Sequence, residues 1–269
     1  MERMIARFDE KAEIIEHCQA AEDIFVLKVA APAVSASARP GQFCMVEVKA
    51  VGSSDPLLRR PFSIHAREDG GRLSFLYRRV GRGTDLLSRM RPGEMLNVLG
   101  PLGRGFRVRP DITPILAGGG MGMAPLLFLA EYCAGSMDTF TILGGRTASE
   151  LTGLESFRRT GTRVLVATED GSLGTRGMVT DVLDGLLKTL SESAGQCEIH
   201  TCGPWPMMRA VYEMASQSGI PCWVSLESRM ACGTGLCLGC AVYGTEKILH
   251  VCREGPVFHG DSIRWRDGQ

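Results

Sequence analysis

Along the first hundred residues, apolar positions come in short runs with polar residues between them. "DIFVLKVA", "GQFCMVEV", "RPFSIHA" and "RLSFLYRRV" are rich in strand formers and are separated by Pro-Gly, Asp-Gly or Gly-Gly pairs. Runs of this length, broken by turn formers, predict a small antiparallel β-barrel. "TDLLSRM" after Gly83 reads as a short helix and "EMLNVLGPLG" as a closing strand. From about Ile112 the rhythm becomes strand then helix: "TPILAGGG", "APLLFLAEYC", "DTFTILGGR", "ELTGLESFRR", "TRVLVATED", "VTDVLDGLLKTL", "CEIHTCG", "PMMRAVYEMASQSG" and "PCWVSLES". Such alternation predicts a parallel sheet covered by helices. Its ligands belong beyond the carboxyl ends of the strands, where "GGGMG", "GGR", "TEDGS" and "CGP" fall. After Ser228 neither period continues, and a glycine- and cysteine-rich stretch runs nearly to the end. The expected organisation is a β-barrel over 1–108, an α/β domain over 109–226 and a C-terminal loop segment over 227–269.

Composition narrows the partners. The 269 residues carry 30 basic and 30 acidic side chains, a formal net charge of zero, with no basic run to engage nucleic acid or anionic lipid. The opening "MERMIARFDEKAEIIEH" lacks the apolar core of a secretion signal, so a cytoplasmic protein is expected. "ITPILAGGGMGMAPLLFLA" is uncharged and near the length of a membrane span, but two prolines and four glycines interrupt it. A buried strand, a glycine loop and a helix start are expected there, and no membrane.

Ten cysteines without a signal peptide point to metal or redox use more than to disulfides. Cys232, Cys237, Cys240 and Cys252 are spaced C-x4-C-x2-C-x11-C, and the first three reproduce the plant-type ferredoxin spacing for a [2Fe-2S] cluster. Gly233, Gly235 and Gly239 remove side chains that would obstruct a tightly wrapped ligand loop. A structural zinc site and unrelated buried thiols are the alternatives. The remaining cysteines have no such spacing and read as small core residues.

In "RRPFSIH", Arg60 and Ser63 would suit a phosphate beside a ring system if Pro61 disturbs the strand pleat. A solvated surface arginine is the plainer reading. "LYRRVGRGTDLL" places Gly81 and Gly83 before Thr84 and a helix start, either an anion site or an ordinary helix capped by Thr84.

Taken together, the Arg-Pro-x-Ser strand, the "YRxxGxGT" loop, the glycine-rich domain with "CGP" and the terminal cysteines resemble the ferredoxin reductase superfamily. Within it the chain is most similar to the electron-transfer subunits of type B dihydroorotate dehydrogenase, over almost its whole length. The resemblance implies FAD on the barrel, NAD on the second domain and a two-iron cluster at the end. It implies that Arg60, Pro61, Phe62 and Ser63 hold FAD, with Leu76, Tyr77 and Arg78 along the ribityl and diphosphate and Gly83 and Thr84 at the phosphates. Phe62 departs from the tyrosine of many reductases and cannot donate through a phenol.

"LAGGGMGMAP" follows an apolar run and precedes a helix, the setting in which glycines let backbone approach a pyrophosphate. Gly118 and Gly120 fit G-x-G, but Met123 stands at the third glycine position and "TILGGR" ends in no acid to grip a ribose. Gly119, Gly120 and Gly122 are the expected loop residues. The resemblance puts Cys202 and Gly203 near the nicotinamide, although Cys202 is equally a core thiol. Glu227 either approaches the flavin or is a solvated carboxylate, and Arg146 either meets a 2′-phosphate or ends a loop.

The fold class expected is thus an antiparallel FAD-binding barrel, a parallel-sheet nucleotide-binding domain and a C-terminal iron–sulfur segment. The function implied is electron transfer from NADH through FAD and the cluster to an FMN-containing dihydroorotate dehydrogenase catalytic subunit, in a heterotetramer serving pyrimidine biosynthesis. No catalytic acid–base residue is nominated. Rival readings are a related reductase subunit serving ferredoxin, sulfide or hydrogenase systems, and a zinc-stabilised nucleotide sensor.

Overall fold

The computed structural model describes residues 6–48, 53–190 and 196–266. In the first unit, strands β1 (Phe8–Ala21) and β2 (Ile24–Ala30) lead to helix α1 (Pro32–Ser37) and to β3 (Phe43–Val46). Strands β4 (Arg60–Ser63), β5 (Ala66–Glu68) and β6 (Arg72–Arg78), helix α2 (Arg82–Ser88) and β7 (Met95–Leu102) complete it. The seven strands form one antiparallel sheet in the order β4-β3-β7-β1-β2-β6-β5. β4 also packs against β6, so the sheet curls into a half-barrel. Inward positions supply its core, with Ile14, Leu27, Val29, Ile64, Leu73, Phe75 and Val98 fully buried.

One expectation fails here. β7 is the last of these seven strands in sequence but is no closing strand: it lies mid-sheet, flanked by β3 and β1. Its Leu96 and Val98 point into the core while its two edges are satisfied by different neighbours, an arrangement set by long-range pairing that the sequence pattern does not encode.

The second unit alternates as expected: β8 (Thr113–Gly119), α3 (Met123–Cys133), β9 (Phe140–Gly145), α4 (Leu154–Arg159), β10 (Arg163–Thr168), β11 (Thr175–Arg176), α5 (Val179–Thr189), β12 (Cys197–Cys202), α6 (Trp205–Gln217) and β13 (Cys222–Ser225). The uncharged stretch around the glycines is β8, a 3-10 turn and α3, and among the described residues no helix is long and apolar enough to cross a membrane. Sheet order is β11-β10-β9-β8-β12-β13, all parallel. The order reverses between β8 and β12, which creates a crevice at their carboxyl ends.

The cysteine-rich segment adds β14 (Ala241–Tyr243), β15 (Ile248–His250) and β16 (Val257–His259). β16 extends the second sheet by pairing antiparallel with β13. Cys240, Leu249, Val251, Cys252 and Phe258 share one core with Met45 and Leu102 of the half-barrel and Ile199 and Val224 of the parallel sheet. The segment is therefore wedged against both units.

Candidate functional site: two clefts and a cluster loop

The first cleft, about 690 Å³, lies along the half-barrel edge between residues 55–61 and Glu227–Met230. β4 is the edge strand, which tolerates Pro61 because no ladder bond is needed on its open side. Its pairing with β3 runs from Phe43–Ser63 to Val46–Arg60 without a register shift, so Pro61 does not disturb the pleat. Arg60 and Ser63 consequently do not share a face, contrary to expectation. Arg60 instead meets the start of α2: a Cβ on Gly83 would overlap its guanidinium, and its Nη1 donates to the Leu58 carbonyl. Gly83 is needed for this close approach.

Thr84 is not the helix cap. Gly81 takes that position, and Thr84 Oγ1 reaches back to accept from the Val80 and Gly81 N–H groups (2.9 and 3.1 Å). Phe62 turns inward, with ring centroids 6.3 Å from Phe75 and 5.4 Å from Tyr77. Tyr77 is buried as well. It stacks on Phe25, and its hydroxyl bonds His17 Nε2 at 2.9 Å. Leu76 is buried beside Ala124, whereas the exposed Arg78 faces the second cleft. Of the expected flavin contacts, Arg60 and Pro61 line the first cleft, and Gly83 abuts the Arg60 guanidinium.

The second cleft, about 860 Å³, opens at the carboxyl edge of the parallel sheet. Gly119, Gly120 and Gly122 line it, as do Gly145 and Arg146 after β9, Glu169 after β10 and Gly203 after β12. Cys202 pairs with Gly118 across the switch point, so the glycine loop and the "CGP" turn lie side by side. Gly122 permits this approach, since a Cβ would overlap the Cys202 carbonyl. The Cys202 side chain is core, not cleft. It is 1% exposed, and burial pushes its thiol pKa up, helped by the charge of Glu227. Met123, at the third glycine position, is a fully packed residue of the α3 core.

Glu227 lines both clefts. Its surface is accessible within the crevice, yet surrounding protein desolvates the carboxyl and raises its pKa. Sequence reasoning left its place open, because it depends on two units meeting.

Directly after Glu227–Met230 comes the cysteine loop. Gly233, at φ +69°, presses on Met45 and Leu102, where any Cβ would clash with Met45. The sulfurs sort into two pairs. Cys240 and Cys252 are buried with Sγ atoms 3.2 Å apart, and the Cys252 N–H donates to Cys240 Sγ. Cys232 Sγ accepts from the Thr234 and Cys237 N–H groups at 3.4 and 3.5 Å. Burial opposes ionisation of Cys232, but these amide bonds prevail and bring its pKa down to about 6; burial and the Cys240 thiol push Cys252 up to about 12. Two pairs of cysteines with backbone amides donating to their sulfurs suit a cluster of two irons, each iron taking two sulfurs.

Comparison with known proteins agrees with this anatomy. Residues 11–106 match the oxidoreductase FAD-binding domain, and residues 227–264 match the iron-sulfur cluster binding domain of dihydroorotate dehydrogenase B. A solved chain from NADH-dependent reduced ferredoxin-NADP oxidoreductase superposes with a TM-score of 0.81 at 32% identity, over 94% of this chain and 90% of that one. A ferredoxin reductase of carbazole 1,9a-dioxygenase, 24% identical, shares the fold with a TM-score of 0.68, over 81% of this chain and 68% of that one. The dihydroorotate dehydrogenase B (NAD(+)) electron transfer subunit of Desulforamulus reducens is 38% identical, over 94% of this chain and 97% of that subunit. Its counterpart from Geobacillus kaustophilus is also 38% identical, over 90% and 93%. By this likeness over nearly the full length of both relatives, the chain belongs to the family of dihydroorotate dehydrogenase B electron transfer subunits.

Proposed function

We propose that the chain oxidises NADH at the second cleft and delivers the electrons, through FAD at the first cleft and a [2Fe-2S] cluster on the cysteine loop, to an FMN-containing dihydroorotate dehydrogenase catalytic subunit. One observation carries the reading: Glu227–Met230 walls the first cleft, Glu227 also lines the second, and the same stretch leads straight into the cysteine loop. Three sites are thus contiguous. Flavin supplies the link between a two-electron donor and a one-electron cluster.

In this proposal the chain's own residues bind and position. Arg60, held against Gly83, supplies a cation for the flavin phosphates with Pro61 beside it, while Ser63, Thr84 and residues 76–78 shape the half-barrel behind that contact. Gly119, Gly120 and Gly122 admit the dinucleotide pyrophosphate, and Gly203 opens the turn beside the nicotinamide. Cys232, Cys237, Cys240 and Cys252 hold the cluster. Hydride transfer asks no side chain for a proton.

Leu236 and Leu238 flank Cys237 and are 85% and 53% exposed, an apolar surface suited to the catalytic partner. The loaded chain alone should reduce an artificial dye with NADH but form no orotate, and a two-plus-two complex with the partner should restore NAD-linked orotate formation. Leu236→Glu should slow that linked reaction about tenfold or more while dye reduction persists. Dihydroorotate oxidation by the chain alone would overturn the proposal. The likeness to a ferredoxin-NADP oxidoreductase favours a second reading, in which ferredoxin replaces the FMN subunit, and reduction of ferredoxin but not of that subunit would establish it.

A further inference from the structure

Within the second cleft, the ends of β9 and β10 carry a charge arrangement unlike that of an ordinary dinucleotide site. The pyrophosphate reading of Gly119–Gly122 puts the adenosine ribose toward the end of the next strand, β9. An acid at that place holds a free 2′-hydroxyl, whereas an arginine accommodates a 2′-phosphate. The residue there is Arg146, which by itself selects the phosphorylated cofactor.

Arg146 is not available in that way. Glu150 Oε1 accepts from Arg146 Nε at 2.8 Å and from Nη2, while Glu150 Oε2 accepts from the Arg146 backbone N–H at 2.9 Å. The carboxylate is tied to main chain and guanidinium together, so it is pre-oriented rather than a chance surface partner. Hydrogen bonds tie the loops after β9 and β10 together around it. Glu169 N–H donates to Gly145 O, Asp170 N–H to Arg146 O, and Ala148 N–H to Ser172 Oγ, which in turn donates to Asp170 at 2.6 Å. Glu169 lines the same cleft and adds its negative charge beside Arg146. Arg78 faces the pair from the half-barrel.

We propose that Glu150, by caging Arg146, is the residue that makes this cleft reject a 2′-phosphate and accept the unphosphorylated dinucleotide. A 2′-phosphate would meet a guanidinium whose Nε and Nη2 are already given to the Glu150 carboxylate, beside a second carboxylate, so it would either displace Glu150 or sit against two negative charges. A bare ribose brings no charge and is spared that conflict. The inference rests on the reading of this cleft as the dinucleotide site.

Calorimetric binding of 5′-ADP and 2′,5′-ADP to the flavin-loaded chain tests it without turnover. The unaltered chain should bind 5′-ADP in clear preference. In Glu150→Gln, which keeps shape but removes the charge, the ratio of 2′,5′-ADP to 5′-ADP affinity should rise about tenfold or more. Adding Arg146→Ala should abolish that gain, and the NADPH-to-NADH ratio of KM values should fall in Glu150→Gln and return when Arg146→Ala is added. An unchanged ratio in Glu150→Gln with 5′-ADP still bound would overturn the cage and leave the cleft assignment standing. A gain that survives Arg146→Ala would hand the discrimination to Arg78 and also overturn it. Failure of the unaltered chain to bind either nucleotide would remove the cleft assignment and the cage together.

Discussion

Cys237 sits on the exposed side of its loop, while Cys240 and Cys252 lie in the core shared by both units. This difference separates ligation from folding. Cys237→Ser removes one sulfur without opening a cavity, and the backbone N–H that serves Cys232 remains. Iron and acid-labile sulfide in the purified variant should fall to roughly a tenth of the unaltered level or less, because a hydroxyl is a poor substitute for a thiolate at iron. Flavin content should persist, since Cys237 lines neither cleft. Retention of full iron would remove Cys237 from the ligand set. The cysteine spacing was readable at this scale because ligands on one short loop are constrained locally. The inward turns of Phe62 and Tyr77 were not, because each answers to neighbours on other strands.

The junction of β8, its glycine loop and α3 works as a unit. α3 is buried on all sides from Met123 to Ala130, as the uncharged run there implies, and Pro125 sits in its first turn where no N–H is missed. What fixes the loop is the contact of Gly122 with the Cys202–Gly203 backbone. Neither partner is a flexible side chain, so Gly122→Ala should force the loop from the β12 end and cost about 2–3 kcal/mol by overpacking. Urea unfolding should show the loss, and 5′-ADP affinity should fall with it. A variant of unchanged midpoint and affinity would mean that the loop is not gripped there. The strand–glycine–helix order was legible from periodicity, but the partner that demands glycine at 122 lies 80 positions along the chain and came only with the fold.

For the whole molecule, α3 also joins the two units. His65, just past β4, is 6% exposed, and its Nδ1 donates to Ala124 O at 2.8 Å. Burial lowers its pKa from 6.5 to about 4, partly offset by that bond. The unfolded chain therefore binds more protons than the native one between these values. Stability from neutral His65 is complete above about pH 6.5 and declines as pH falls toward 4, by about 2 kcal/mol at pH 5. Glu131, in the same interface near Glu68, works in the opposite sense, because burial raises its pKa to about 7. The comparison must accordingly be between the chain and His65→Gln, whose stability at pH 5 relative to pH 7.5 should be about 2 kcal/mol more favourable than that of the unaltered protein, read from denaturation midpoints at the two pH values. Equal pH slopes would show that His65 does not titrate with unfolding.

Much of this protein was decided by residues near one another in sequence. Turn-broken runs of strand formers, the strand–helix rhythm after Ile112 and the C-x4-C-x2-C-x11-C loop are local patterns, and local patterns set element type and ligand spacing. Arg146 and Glu150 are also only four apart, yet their three-point clasp needs the loop after β9 braced by the loop after β10. The central place of β7, the meeting of Arg60 with Gly83, the sharing of Glu227 between two clefts and the wedging of the cluster segment against both units came only with tertiary structure. Each depends on which distant surfaces bury one another, and apolar burial is non-directional: it states that a face must be covered and leaves the choice of cover to the packing of the whole chain.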